Sequence, residues 1–121
     1  MTARKALGDF GERVAAHRLE AEGLRILARN VRTPAGEIDL VAEDGTDLAF
    51  VEVRTRRELR GAAAESLTPA KLQRMWRCAM EYCERHELLI DRARIDLLSI
   101  DLGPNGEAAR VEHFRGLEIP D

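Results

Sequence analysis

Apolar and polar positions recur with two different periods along this chain, and the changes of period divide it into elements. From about Ala6 to Glu22, Phe10, Val14, Ala15 and Leu19 recur at helical spacing with charges between them, and Gly23 is placed to end the helix. The residues up to Lys5 are expected to be a frayed start. Leu24 to Val31 reads as a strand, with Leu24, Ile26 and Leu27 apolar and Arg25 and Arg29 polar. Thr33-Pro34-Ala35-Gly36 is a turn. Two strand-like runs follow, Gly36 to Ala42 and Leu48 to Arg54. Between them, Glu43-Asp44-Gly45-Thr46-Asp47 contains the Asp-Gly pair of a tight hairpin.

Arg57 to Leu67 has no stable amphipathic pattern and is expected to be a mobile loop. Thr68-Pro69 opens a second helix, Thr as N-cap and Pro in the first turn. Its predicted buried stripe is Leu72, Met75, Trp76, Ala79, Met80 and Cys83. Ala93 to Leu102 fits a fourth strand, with Ile95, Leu97 and Ser99 on one face, and Ala108 to Phe114 a weaker last one. The order is helix, three strands, helix, one or two strands. It predicts a single α/β domain over residues 1–121, a sandwich on a mixed sheet that is antiparallel at the hairpin. A crossover through the second helix makes the fourth strand parallel to the third.

Two acids break this pattern. Asp39 and Glu52 interrupt runs that otherwise read as buried sheet, and Arg54 follows two residues after Glu52. Side chains alternate along a strand, so Phe50, Glu52 and Arg54 share one face and Val51 and Val53 the other. A buried carboxylate is costly unless it is paired or binds a metal. Two of them on adjacent strands, with a cation beyond, can hold a divalent metal beside a phosphate. Glu37, on Asp39's face, reads as a strand-edge carboxylate paired with a nearby Arg, and Asp96 as an ion-pair partner of Arg94.

Together with Gly8-x-x-Gly11-Glu12-x-x-Ala15 and Arg29-Asn30-x-Arg32, the runs Gly36-Glu37-Ile38-Asp39-Leu40 and Phe50-Val51-Glu52-Val53-Arg54-x-Arg56 resemble the YraN family of small bacterial proteins. The strand pair itself is similar to the PD-(D/E)xK nuclease core. The resemblance implies a restriction-endonuclease-like fold and a Mg²⁺- or Mn²⁺-dependent endodeoxyribonuclease, a hydrolase acting on DNA, including branched or damaged DNA. It implies Asp39, Glu52 and the carbonyl of Val53 as metal ligands. Glu12 matches the acid that Holliday junction resolvases contribute from their N-terminal helix. A homodimer is implied in the same way. Arg54 stands where the family usually has Lys. Arg stays protonated, so Arg54 can clamp phosphate but cannot act as a base. If the reaction requires a Lys, Lys71 is the substitute, since Lys5 falls in the expected frayed start; a metal-driven reaction tolerates Arg54 at a reduced rate. The alternative is a non-catalytic nucleic-acid-binding module on a degenerate nuclease fold.

Composition bears on the partner. The net charge is −3, against strong non-specific nucleic-acid binding by the whole surface. Residues 54–77 nevertheless carry seven Arg or Lys against two acids. Within that stretch Arg56, Arg57, Lys71 and Arg74 are candidate nucleic-acid contacts. The pI of about 5.7 favours a third reading, a protein-interaction domain. No apolar run approaches the ~20 residues of a membrane span, and no signal segment opens the chain, so a cytoplasmic location with no membrane partner is expected. Cys78 and Cys83 lack zinc-site spacing and read as reduced thiols, and His17, His86 and His113 form no metal pair and no Ser/His/Asp arrangement.

Overall fold

A computed structural model describes residues 2–57 and 67–121. Helix α1 spans Ala3–Ala21. It begins earlier than the periodicity predicts because the Thr2 hydroxyl accepts the Lys5 amide proton at 3.1 Å, so the expected frayed start is the capped first turn. At the other end Gly23 has φ 93°, and the amides of Gly23 and Leu24 donate to the carbonyls of Glu20 and Leu19. This pair of bonds closes the helix with the left-handed residue that only glycine takes without strain.

Strands β1 (Arg25–Thr33), β2 (Gly36–Asp44) and β3 (Asp47–Arg56) form an antiparallel meander. The β2–β3 hairpin closes at Asp44↔Asp47, so Gly45-Thr46 forms the two-residue loop, with Gly45 at φ 61°. The loop centre lies one residue past the Asp-Gly pair. Helix α2 (Pro69–Arg85) starts where expected, the Thr68 hydroxyl accepting the Lys71 amide proton. It carries the chain through a 3₁₀ turn at Ile90–Arg92 to β4 (Ala93–Leu102), parallel to β3, and then to β5 (Ala108–Phe114), antiparallel to β4. The strand order is β1-β2-β3-β4-β5. The result is the mixed α/β sandwich with a central hairpin flanked by helices that the element order predicts. The loop expected over residues 57–67 falls, for 58–66, outside the described residues.

One apolar cluster lies on each side of the sheet. Ala15 and Leu19 of α1 meet Leu40, Val51, Leu98 and Ile100. Met75, Cys78, Ala79, Tyr82 and Cys83 of α2 meet Ile38, Phe50 and Ile95. The stripe of α2 is therefore rotated from the predicted one: Cys78 and Tyr82 are buried, while Met80 is 41% exposed. Both cysteines are free thiols. β4 is buried from Ile95 to Leu102 because it is covered on both faces and paired on both edges. Gly11 is where α1 lies on the sheet. A Cβ there would stand 2.4 Å from Thr55 Oγ1, so the helix can approach β3 this closely only with glycine at that position.

Candidate functional site

The two motif strands separate at Asp39. β2 pairs with β3 from Asp44↔Asp47 as far as Leu40↔Val51, and beyond that it pairs only with β1. Asp39 Oδ2 accepts the Val53 amide proton at 2.8 Å, so a side chain takes over where the backbone ladder stops. The backbone also changes face here. Ile38 packs on the α2 side and Leu40, two residues on, on the α1 side. Regular alternation would put both on one face. Asn30, on β1 between the pairs Arg29↔Leu40 and Val31↔Ile38, has φ 50°. The kink leaves Asp39 lining a cavity on each side of the sheet.

On the α2 side a cleft of about 390 Å³ is lined by Glu37, Asp39, Glu52, Lys71 and Arg74, with Cys78 at its wall. Glu52 is 8% exposed. Its Oε2 lies 2.5 Å from Lys71 Nζ and 3.1 Å from Arg54 Nη2. Lys71 comes from the first turn of α2, which Thr68 and Pro69 set in place. Burial pushes the Asp39 carboxyl up to about 7, helped by its hydrogen bond to Glu52 and by the charges of Glu52 and Glu12, against the opposing Val53 amide. Glu37 also pairs with Arg32, at 3.8 Å, as its strand-edge position suggests.

On the α1 side a smaller cavity, about 140 Å³, brings Glu12 to Asp39, Asn30, Val53 and Thr55. Glu12 Oε1 is buried without a hydrogen-bond partner among the described residues. Burial raises the Glu12 carboxyl, and the charges of Asp9 and Glu37 add to this against Arg29 and Lys5. Glu12 lines the cavity on the α1 side and Glu52 the cleft on the α2 side, so the two flank Asp39 from opposite faces. Among the described residues, no three His, Cys, Asp or Glu side chains are grouped closely enough to hold a metal ion as they stand. Arg54 and Arg56 line a third cavity with Arg4, and Arg57 is exposed and lines none of the three.

The profile of the uncharacterised protein family UPF0102 matches residues 11–100, a span holding Glu12, Asp39, Glu52, Arg54 and Lys71. The chain belongs to UPF0102. A UPF0102 protein of Beutenbergia cavernae is 48% identical over 118 residues, covering 97% of this chain and 99% of its own. One from Renibacterium salmoninarum is 45% identical with the same coverage. One from Dehalococcoides mccartyi is 46% identical over 82% of this chain and 83% of its own. UPF0102 is the family that the motifs resemble under the name YraN. Among solved structures, Pyrococcus furiosus SfsA in complex with Ca²⁺ matches 96% of this chain and 65% of its own, at 17% identity and a TM-score of 0.43. No helix among the described residues of this UPF0102 protein is long and apolar enough to cross a membrane.

A second polar cluster in this UPF0102 chain lies away from the cleft. Asp96 is fully buried, and His113 Nε2 lies 2.7 Å from its Oδ2. His113 Nδ1 lies 2.8 Å from Glu22 Oε1. Arg94 bonds Asp96 Oδ1 at 3.1 Å, the partner expected from sequence, and the Gly116 amide donates to the same oxygen. Burial opposes each charge, but the hydrogen bonds outweigh it. They raise the His113 imidazole, lower Asp96, and hold Glu22 at about 2. Every strong acceptor is matched by a donor, so this is a structural tie between the end of α1, β4 and β5. The signal in the sequence was the charge of Asp96 inside an apolar strand; its His113 partner is 17 residues away, and the Glu22 that bonds His113 in turn is 91 from it, so spacing could not pair them.

Proposed function

We propose that this chain is a cytoplasmic, metal-dependent nuclease-like protein acting on DNA, including branched or damaged DNA. The observation that carries the reading is the strand split at Asp39, which brings the half-buried Asp39 carboxyl to the buried Glu52 carboxyl in a cleft edged by Lys71 and Arg74. Burial, with the neighbouring Glu52 acid adding to it, pushes Asp39 up to about 7; a cation relieves such a site, and the basic side chains beside it suit a phosphate.

The residues fit Mg²⁺ or Mn²⁺. Asp39 and Glu52 would hold it, the Val53 carbonyl is a further oxygen, and the unpartnered Glu12 Oε1 is available from the other face. Mg²⁺ usually keeps several waters, so this partial protein set suffices. When bound, a divalent cation supplies charge neutralisation at the phosphate and a water of lowered pKa. Lys71 carries a compact charge on the wall of the same cleft and would meet a phosphate oxygen once Glu52 is engaged elsewhere. Arg54 stays protonated and clamps. Arg74 adds positive charge on the α2 wall.

The second reading, a nucleic-acid-binding module without turnover, draws on the ion pairs that Lys71 and Arg54 make with Glu52. Those pairs neutralise a ligand the cation would need. Incubating linear, flapped and four-way DNA with Mg²⁺ or Mn²⁺ separates the two. Cleavage by the wild type that is lost in Asp39→Asn supports the first. Metal-independent binding with no product from any substrate leaves the second.

A further inference from the structure

We propose that the groove between the first turns of α1 and the end of β3 is a second phosphate subsite, holding a backbone phosphate of the same nucleic-acid strand away from the acidic pair. It has a volume of about 500 Å³ and is lined by Arg4, Leu7, Gly8, Arg54, Thr55 and Arg56, together with Val53. Three arginines line the groove, and no described acid does. Arg4 and Arg56 make no ion pair with any described residue. Arg54 Nε is buried without a hydrogen-bond partner among the described residues. Arginine presents donors in a planar fork that matches two oxygens of one phosphate.

Two features tie the groove to the site already described. It shares Gly8, Val53 and Thr55 with the Glu12 cavity, which reaches Asp39. Arg54 also joins the two sides, since its Nη2 bonds Glu52 while its side chain lines the groove. A strand with one phosphate at Asp39 and Glu52 therefore has a cationic path along the α1 side of β3. The wall is fixed in place, because the Gly11–Thr55 contact seats α1 on β3 and the Thr2 cap holds Arg4 within the helix. The subsite rests on the proposed action on DNA but not on turnover.

The test measures binding of a short labelled DNA duplex in EDTA by anisotropy across a salt series. It compares wild type, Arg4→Ala, Arg56→Ala, Arg4→Lys and, as control, Arg110→Ala on the far edge strand. Arg4 lies in an exposed first turn, so its loss leaves the fold intact, which circular dichroism checks. Arg4→Ala and Arg56→Ala are expected to weaken binding several-fold. Each should lower the slope of log K against log salt by about 0.9, the loss of one phosphate contact. Arg4→Lys is expected to keep the slope and part of the affinity, and Arg110→Ala both. Equal affinities for wild type and the two Ala variants overturn the subsite, even if the protein cleaves DNA. Weakening without cleavage of any substrate removes the nuclease reading and leaves the subsite. A wild type that binds inorganic phosphate in an Arg4-dependent way but no duplex assigns the groove to free phosphate and overturns the nucleic-acid proposal.

Discussion

Lys71 Nζ lies 2.5 Å from Glu52 Oε2, the same oxygen that Arg54 Nη2 reaches at 3.1 Å from its place two residues along the strand. The ammonium thus arrives from α2 while Arg54 fills the strand position. Lys71→Met is expected to reduce metal-dependent cleavage by about 10²-fold, the scale for losing one charge-stabilising donor. Arg54→Lys should change it little, because the compact charge is already present. Single-turnover cleavage of the preferred substrate checks both. A rise in activity with Arg54→Lys would show that Lys71 does not serve the reaction.

Asp39 and Glu52 should respond to neutralisation with opposite signs. An acid held at about 7 when folded, against about 4 when unfolded, loses stability as pH rises between those values, and the loss stays in place above them. Asp39→Asn removes that cost while an Asn oxygen can still accept the Val53 amide, so stability at pH 8 should rise, by up to about 4 kcal/mol before solvent screening reduces it, and be unchanged near pH 4. Glu52→Gln breaks buried contacts to Lys71 and Arg54 and should lose about 1–2 kcal/mol. Urea melts at the two pH values measure both effects. An equal loss in the two variants would mark Asp39 as one more structural acid.

A divalent cation should stabilise the wild type, because it offsets the same repulsion. Titration calorimetry and thermal melts with Mg²⁺ or Mn²⁺ should show heat and a raised Tm in the wild type and neither in Asp39→Asn. Persistence of both in that variant would place the ion elsewhere.

The Glu22–His113–Asp96 tie sets a pH window. His113 is raised above its ordinary 6.5, so its contribution is complete below about 6.5 and is lost as pH climbs through its folded value. Glu22 is lowered from 4.5 to about 2, so its contribution is complete above about 4.5 and is lost as pH falls toward 2. The tie is therefore whole between about pH 4.5 and 6.5. His113→Gln should flatten the loss on the alkaline side, read from urea melts at half-unit steps of pH. An unchanged alkaline slope would assign it to another group.

Gly11→Ala should cost about 1–3 kcal/mol from overpacking against Thr55, reduced by the better helix propensity of alanine. Thr55→Ala in the same chain should recover most of it. Denaturant melts of the single and double variants test this contact.

The element order, the capped start of α2, the parallel crossover to β4 and the faces of Phe50, Glu52 and Val53 were all legible in the chain. They follow from local rules: period, caps and turn residues act within a few positions of each other. Asp39 and Glu52 could be singled out because a carboxylate inside an apolar strand conflicts with its surroundings. What local rules could not supply was the relation between distant elements. The capped first turn that puts Arg4 beside Arg56, the rotation that buries Tyr82 and exposes Met80, and the pairing of His113 with Asp96 and Glu22 depend on how helices seat on the sheet. Above all, the opening of β2 from β3 at Asp39 is a tertiary event. Its kink leaves Glu12 and Glu52 on opposite sides of one carboxylate, and the seating of α2 brings Lys71 to Glu52, whose strand face sequence had shared with Arg54. Side-chain chemistry is written residue by residue, but which charges meet is settled only when burial forces them into the same small volume.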